Sequence, residues 1–165
     1  MATKKTKRSK ARVAKAPVKT AAKRVAARPA RARSVKRGTL SIRTVTPSIT
    51  VNDIEKSLAW YRDVLGFTVK ERWENEGKLA GVELTAGDVS FMLGQDDWQK
   101  GRDRVKGEGF RIYCTTGQNV DRLAESIKVH GGRLSREPKD EWGMRMLAVE
   151  DPDGFKITIS SKLKR

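Results

Sequence analysis

The chain has 165 residues, with 36 Lys and Arg against 20 Asp and Glu and a net charge of +16, enough for one ordinary domain and an appendage. Its single cysteine, Cys114, and single histidine, His130, exclude an intrachain disulfide, a cysteine-based metal knuckle and a two-histidine metal centre within one chain. There is no apolar run near the ~20 residues of a membrane span and no apolar stretch of a secretory signal, so the expected location is cytoplasmic and no membrane partner is expected.

The charge is concentrated at one end. Residues 1–38 hold 15 Lys and Arg and no acid, and the first acidic residue is Asp53. The remaining 21 basic and 20 acidic residues nearly cancel. From Ala2 to Arg37 the residues are Lys, Arg, Ala, Val, Thr, Ser and Pro, too poor in apolar surface to offset chain entropy, which predicts a disordered basic arm. Pro17 and Pro29 break any long helix. Lys4, Lys5, Lys7, Arg8, Lys10, Lys23, Arg24, Arg31, Arg33, Lys36 and Arg37 are suited to neutralising phosphates, so non-specific nucleic-acid contact and a nucleoid association are expected. A solvated tail with no partner and an organelle transit peptide are the competing readings. Only Ser9 and Ser34 among many lysines count against the second.

From residue 39 to 165 the chain reads as one domain made of two copies of a β-α-β-β-β unit, at about 42–95 and 109–161, joined by a polar linker at 96–108. Asn52 and Asn119 open helices 67 residues apart, Gly66 and Gly132 close them 66 apart, and Gly87 and Gly154 precede strands 67 apart. In the first copy Ile49 and Val51 alternate with Thr46, Ser48 and Thr50, as in a half-buried strand. Asn52 with Glu55 fits a capping box, and Ile54, Leu58, Tyr61 and Leu65 follow helical spacing to Gly66. Strands are predicted at 67–73, 80–85 and 88–93. In the second copy Phe110, Ile112 and Cys114 alternate with Arg111, Tyr113 and Thr115. A helix carries Val120, Leu123, Ala124 and Ile127 to Gly131-Gly132. Strands follow at 133–136, 144–149 and 155–160. The last is entered through Asp151-Pro152-Asp153-Gly154, whose residue types favour a tight turn. The expected fold is α+β: tandem repeats forming a curved mixed sheet around a cleft.

Several stretches resemble the vicinal-oxygen-chelate superfamily, which includes glyoxalase I, extradiol dioxygenases and bleomycin resistance proteins. They are Ile49-Thr50-Val51-Asn52-Asp53, Trp60-Tyr61-Arg62-Asp63-Val64-Leu65-Gly66-Phe67, Trp142-Gly143-Met144-Arg145 and the Asp-Pro-Asp-Gly turn. The Trp-Gly-Met-Arg stretch leans towards the bleomycin-resistance-like branch. In metal-dependent members four strands present His and Glu ligands to the cleft. The resemblance places these positions at Thr46, Phe91, Arg111 or Tyr113, and Thr158. None is an imidazole or a carboxylate, the donors that Zn²⁺, Ni²⁺ or Mn²⁺ require.

This absence leads to an expectation of capture without turnover: a metal-independent protein, without cofactor or catalytic residues, that sequesters an unidentified small molecule as a homodimer. Thr46, Ser48, Phe91, Trp98, Arg111, Tyr113, Trp142, Arg145 and Thr158 are its expected ligand-binding residues, Phe91 as an apolar wall and the Trp side chains as stacking surfaces. The alternative is a lyase or dioxygenase of the same superfamily with a shifted metal site.

Overall fold

The structure is a computed structural model that describes residues 42–163; the basic arm, and every residue assigned above to nucleic acid, lies outside them. The first repeat runs β1 (Ser48–Val51), α1 (Ile54–Asp63), β2 (Thr68–Asn75), β3 (Lys78–Ala86) and β4 (Val89–Gln95). The second runs β5 (Arg111–Thr115), α2 (Val120–Val129), β6 (Leu134–Glu141), β7 (Met144–Glu150) and β8 (Lys156–Lys162). Each repeat makes its own four-stranded mixed sheet, ordered β1-β4-β3-β2 and β5-β8-β7-β6, with one parallel pair (β1 with β4, β5 with β8). The α+β repeat architecture read from the sequence is therefore the one the chain adopts.

Local chemistry sets the boundaries. α1 is capped by the Asp53 carboxylate, which accepts from the backbone N–H of Lys56 at 3.0 Å. This corrects the capping box at Asn52, whose backbone N–H instead serves Asp153 in the other repeat. Asn119 caps α2 as expected, accepting from Arg122 N–H. At the far end of α1, Gly66 takes φ +75° and Phe67 N–H reaches back to the Tyr61 carbonyl, so glycine closes the helix in a left-handed cap. The β2–β3 and β6–β7 hairpins turn on equivalent pairs, Glu76-Gly77 and Trp142-Gly143, all four with positive φ, as a primed two-residue turn demands.

One face of each sheet carries the core. Ile49, Val51, Val82, Leu84 and Leu93 of the first sheet and Leu147, Val149 and Ile157 of the second share a single buried cluster with α1 and α2. The repeats are joined where α1 meets the turn before β8. Tyr61 Oη donates to Asp151 Oδ2 at 2.8 Å, and Ser57 Oγ donates to Asp153 Oδ2 at 3.0 Å. Gly132, after α2, sits so close to Val64 and Ile127 that a Cβ there would collide with both side chains. Among the described residues, nothing covers the opposite sheet faces. Tyr113 and Trp142 are 67% and 85% exposed there.

Candidate functional site

The uncovered face of the second sheet is where chemically useful side chains converge. Strand alternation sends Ile112, Cys114, Ile157 and Ile159 to the core, so Arg111, Tyr113, Lys156 and Thr158 leave from the other side. The register sets Arg111 beside Lys156 and Tyr113 beside Thr158 across the parallel β5–β8 pair. β7 adds Ala148 opposite Thr158 and Glu150 opposite Lys156. β6 adds Arg136, opposite Ala148. Two hollows of about 460 and 570 Å³ lie over this face and share Arg111, Glu150 and Lys156, each within the range of small-molecule sites. Trp142 stands at the rim of the first. The backbone of Gly107–Gly109 walls the second.

Four of the residues expected from the sequence, Arg111, Tyr113, Trp142 and Thr158, thus line one hollow. The others lie elsewhere. Thr46 and Ser48 are exposed at the start of β1, on the uncovered face of the first sheet. Trp98 lies in the linker at φ +61°, with the guanidinium of Arg102 4.7 Å from its ring centre. Arg145 projects to the helix side, clamped on Asp121 at 2.6 Å and Asp140 at 3.0 Å, and these two carboxylates raise its pKa further.

The placement of Phe91 in the cleft is corrected. It is 6% exposed and packs its ring 4.8 Å from that of Tyr61, in the core. The uncovered position on β4 is its neighbour Met92, paired with Ser48 and with Glu83. The reading was one residue out of register, and a one-residue slip moves a side chain to the opposite face.

Three residues that shape the site were missed: Lys156, Glu150 and Arg136. The alternation that singled out Thr158 places Lys156 on the same face. Each copy carries a carboxylate on the open face of its third strand, but at different places: Glu83 lies opposite Met92 in mid-strand, and Glu150 lies opposite Lys156 at the strand's end. A hydrogen bond from Lys70, at 2.8 Å, holds Glu83 below the usual carboxylate range. Arg136 donates to Glu141 at 2.9 Å, while its Nε is buried with no partner.

The linker is pinned by a second charged group. Asp96, 5% exposed, accepts from Arg104 at 2.7 Å, from Trp98 N–H at 2.9 Å and from the buried ammonium of Lys106. Led by the Lys106 hydrogen bond, these hold its carboxyl down to about 2.

A divalent ion does not fit the residues of one chain. The positions that the resemblance offers as ligands carry hydroxyls, a thioether at Met92 once the register is corrected, and Arg111 or Tyr113. Among the described residues no three His, Cys, Asp or Glu side chains gather.

Comparison with known proteins adds the following. Residues 42–159 match the sequence model described as the Glyoxalase/Bleomycin resistance protein/Dioxygenase superfamily. A "Probable lactoylglutathione lyase" of Synechocystis is 29% identical over 128 residues, covering 67% of this chain and 88% of that protein. The "Lactoylglutathione lyase" of Salmonella typhimurium is 26% identical over 134 residues, covering 72% of this chain and 91% of its own. A "Probable lactoylglutathione lyase, chloroplastic" of Arabidopsis thaliana is 30% identical over 66% of this chain; the chain spans about a third of that protein, 33%. Among solved structures, TnmS3, "an antibiotic binding protein from Streptomyces", superposes with a TM-score of 0.60 at 21% identity, covering 76% of this chain and all of that one. TioX from Micromonospora gives 0.58 at 16%, covering 74% and 98%. At such identities the likeness carries the fold and no branch within the superfamily. The curated relatives overturn the expectation of a protein that sequesters without turnover, because they bear the name of a lyase. In the described residues no helix is long and apolar enough to cross a membrane.

Proposed function

The chain belongs to the Glyoxalase/Bleomycin resistance protein/Dioxygenase superfamily, and on that premise we propose that it is a lyase of the lactoylglutathione lyase type, acting on a small acyl-thiol compound at the uncovered face of its second sheet. The observation that carries this reading is the extent of the match to the bacterial lyases, 88% and 91% of their lengths. The aligned region is therefore nearly the whole of those proteins and not a shared fragment. In this reading Tyr113 and Trp142 flank the organic part of the substrate, Arg111 and Lys156 orient it, and Glu150 handles a proton at the reacting carbon.

The first sheet supplies the remaining wall from a second copy. Its uncovered face carries Glu71 and Glu83, cross-strand neighbours, and Trp73. The second sheet's face carries Arg111, Arg136 and Lys156, a complementary charge pattern that favours a homodimer. Residues 1–38, separate from the site in sequence, are assigned to electrostatic contact with nucleic acid by their 15 uncompensated charges.

The test is to incubate full-length protein with lactoylglutathione, and in the reverse direction with glutathione and methylglyoxal, alone and with added Ni²⁺, Zn²⁺ or Mn²⁺, and to follow the interconversion of thioester with free thiol and aldehyde, which hydrolysis to lactate does not give. Turnover under any of these conditions supports the reading; its absence under all of them refutes it.

A further inference from the structure

Arg111 and Lys156 occupy paired positions on adjacent parallel strands and leave the sheet on the same face. Two like charges at such a position repel, and a fold gains nothing from them unless something answers both. No such partner appears among the described residues. Neither side chain takes part in an ion pair, although Glu150 stands cross-strand from Lys156. Arg62, Lys70, Lys128 and Arg145 each have a carboxylate within 2.8 Å, while Lys56, Lys78, Arg122 and Arg133 also enter no ion pair among the described residues, so what marks Arg111 and Lys156 is their shared register over one hollow. A third cation lines the same hollow, since Arg136 keeps its Nε buried and unpartnered while only its terminal amine is satisfied by Glu141. The second hollow adds Arg104, whose guanidinium is paired with Asp96, the carboxylates of Glu108 and Asp153, and a backbone run, Gly107 to Gly109, in which both glycines have positive φ.

We propose that the Arg111–Lys156 pair, with Arg136 beside it, is a binding site for an anionic oxygen group, a carboxylate or a phosphate, carried by the ligand. A guanidinium presents a planar fork of donors that matches two oxygens of either group, and a neighbouring ammonium adds a point charge. Arg111 is one of the two candidates for the third ligand position in the resemblance to metal-dependent relatives, so the strand that would grip a cation there presents one here. This inference shares its location with the proposed lyase site, and it concerns the handle by which a substrate is held, not the reaction.

The test is calorimetric titration of full-length protein at low salt with two probes, inorganic phosphate and glutathione, the second carrying carboxylates. The wild type is compared with the double variant Arg111→Gln/Lys156→Gln and the single variant Lys156→Met. The basic arm is common to all three, so its contribution cancels. The expected result is at least about tenfold weaker binding of one probe in the double variant, with a melting temperature unchanged or raised because a like-charge pair has gone. The probe affected identifies the oxygen group. Equal binding by wild type and both variants, or no binding of either probe to the wild type at millimolar concentration, overturns the proposal. Lost anion binding in the variants beside a wild type inert on lactoylglutathione would sink the lyase reading alone; retained anion binding with active wild type would sink this one alone.

Discussion

The hydroxyl of Tyr61, on the first helix, donates to the carboxylate of Asp151, in the turn before the last strand, 90 positions later and with both groups buried. Asp151 also accepts from the backbone N–H groups of Asp153 and Phe155. Each partner shifts the other: burial, with the nearby carboxylate, drives the phenol well above its ordinary value, and burial raises Asp151 against the pull of its donors. Tyr61→Phe removes a donor to a buried acceptor and is expected to cost about 1–3 kcal/mol, read by urea unfolding. Because Asp151's folded pKa is raised, its contribution is complete below its ordinary value of 3.8 and is lost as pH rises through the folded value. Asp151→Asn is expected to abolish that dependence.

Asp96 has the opposite sign. Its carboxyl is held down to about 2, chiefly by Lys106. The stability it contributes is present above the ordinary value of 3.8 and disappears as pH falls towards 2. Thermal melts between pH 5 and 2, on the order of the range where carboxylates titrate, are expected to show a steep loss in the wild type. Asp96→Asn should be less stable at neutral pH and show a shallower acid limb; parallel curves would show that this pair does not govern the linker.

Gly132 tests how the repeats are packed. Its position leaves no room for a methyl group between Val64 of the first repeat and Ile127 of the second. Gly132→Ala is expected to lower stability by roughly 1–3 kcal/mol, the cost of overpacking. Val64→Ala should relieve part of it, so a double-mutant cycle with a favourable coupling term checks the contact.

The arm gives a separate prediction. Deleting residues 1–38 removes 15 of the 36 basic residues and no acidic one. The truncated chain is expected to lose salt-sensitive retention on immobilised DNA, since each neutralised phosphate steepens the salt dependence. Identical elution of truncated and full-length chains would remove the arm's nucleic-acid role.

Much of the fold was legible because its signals are local and occur twice. Paired glycines, helix-opening asparagines and helix stripes recur at an interval of 66 or 67 residues, and two agreeing copies define a repeat that one copy would not. What escaped depends on neighbours in space. Phe91 and Met92 are both apolar, so nothing in β4 itself shows which faces Tyr61; only pairing with β1 and β3 decides. The capping role passed from Asn52 to Asp53 because Asp153, a hundred positions on, claims the Asn52 N–H. Asp96 falls in the predicted polar linker with nothing to mark it, because its answering charges, Arg104 and Lys106, are fixed by how the linker folds. At the site, Arg111, Tyr113 and Thr158 followed from alternation. Lys156 and Glu150 obey the same rule, but the resemblance points only to metal-ligand positions, and neither is one.

The most direct test is steady-state turnover of lactoylglutathione by the full-length protein and its Glu150→Gln variant, each supplied with the same divalent ions. If Glu150 handles the proton at the reacting carbon, the variant loses about 10²–10⁴-fold in kcat, the range for a positioned acid or base, while its unfolding curve matches the wild type. Equal turnover by the two proteins would place the chemistry away from the open face of the second sheet.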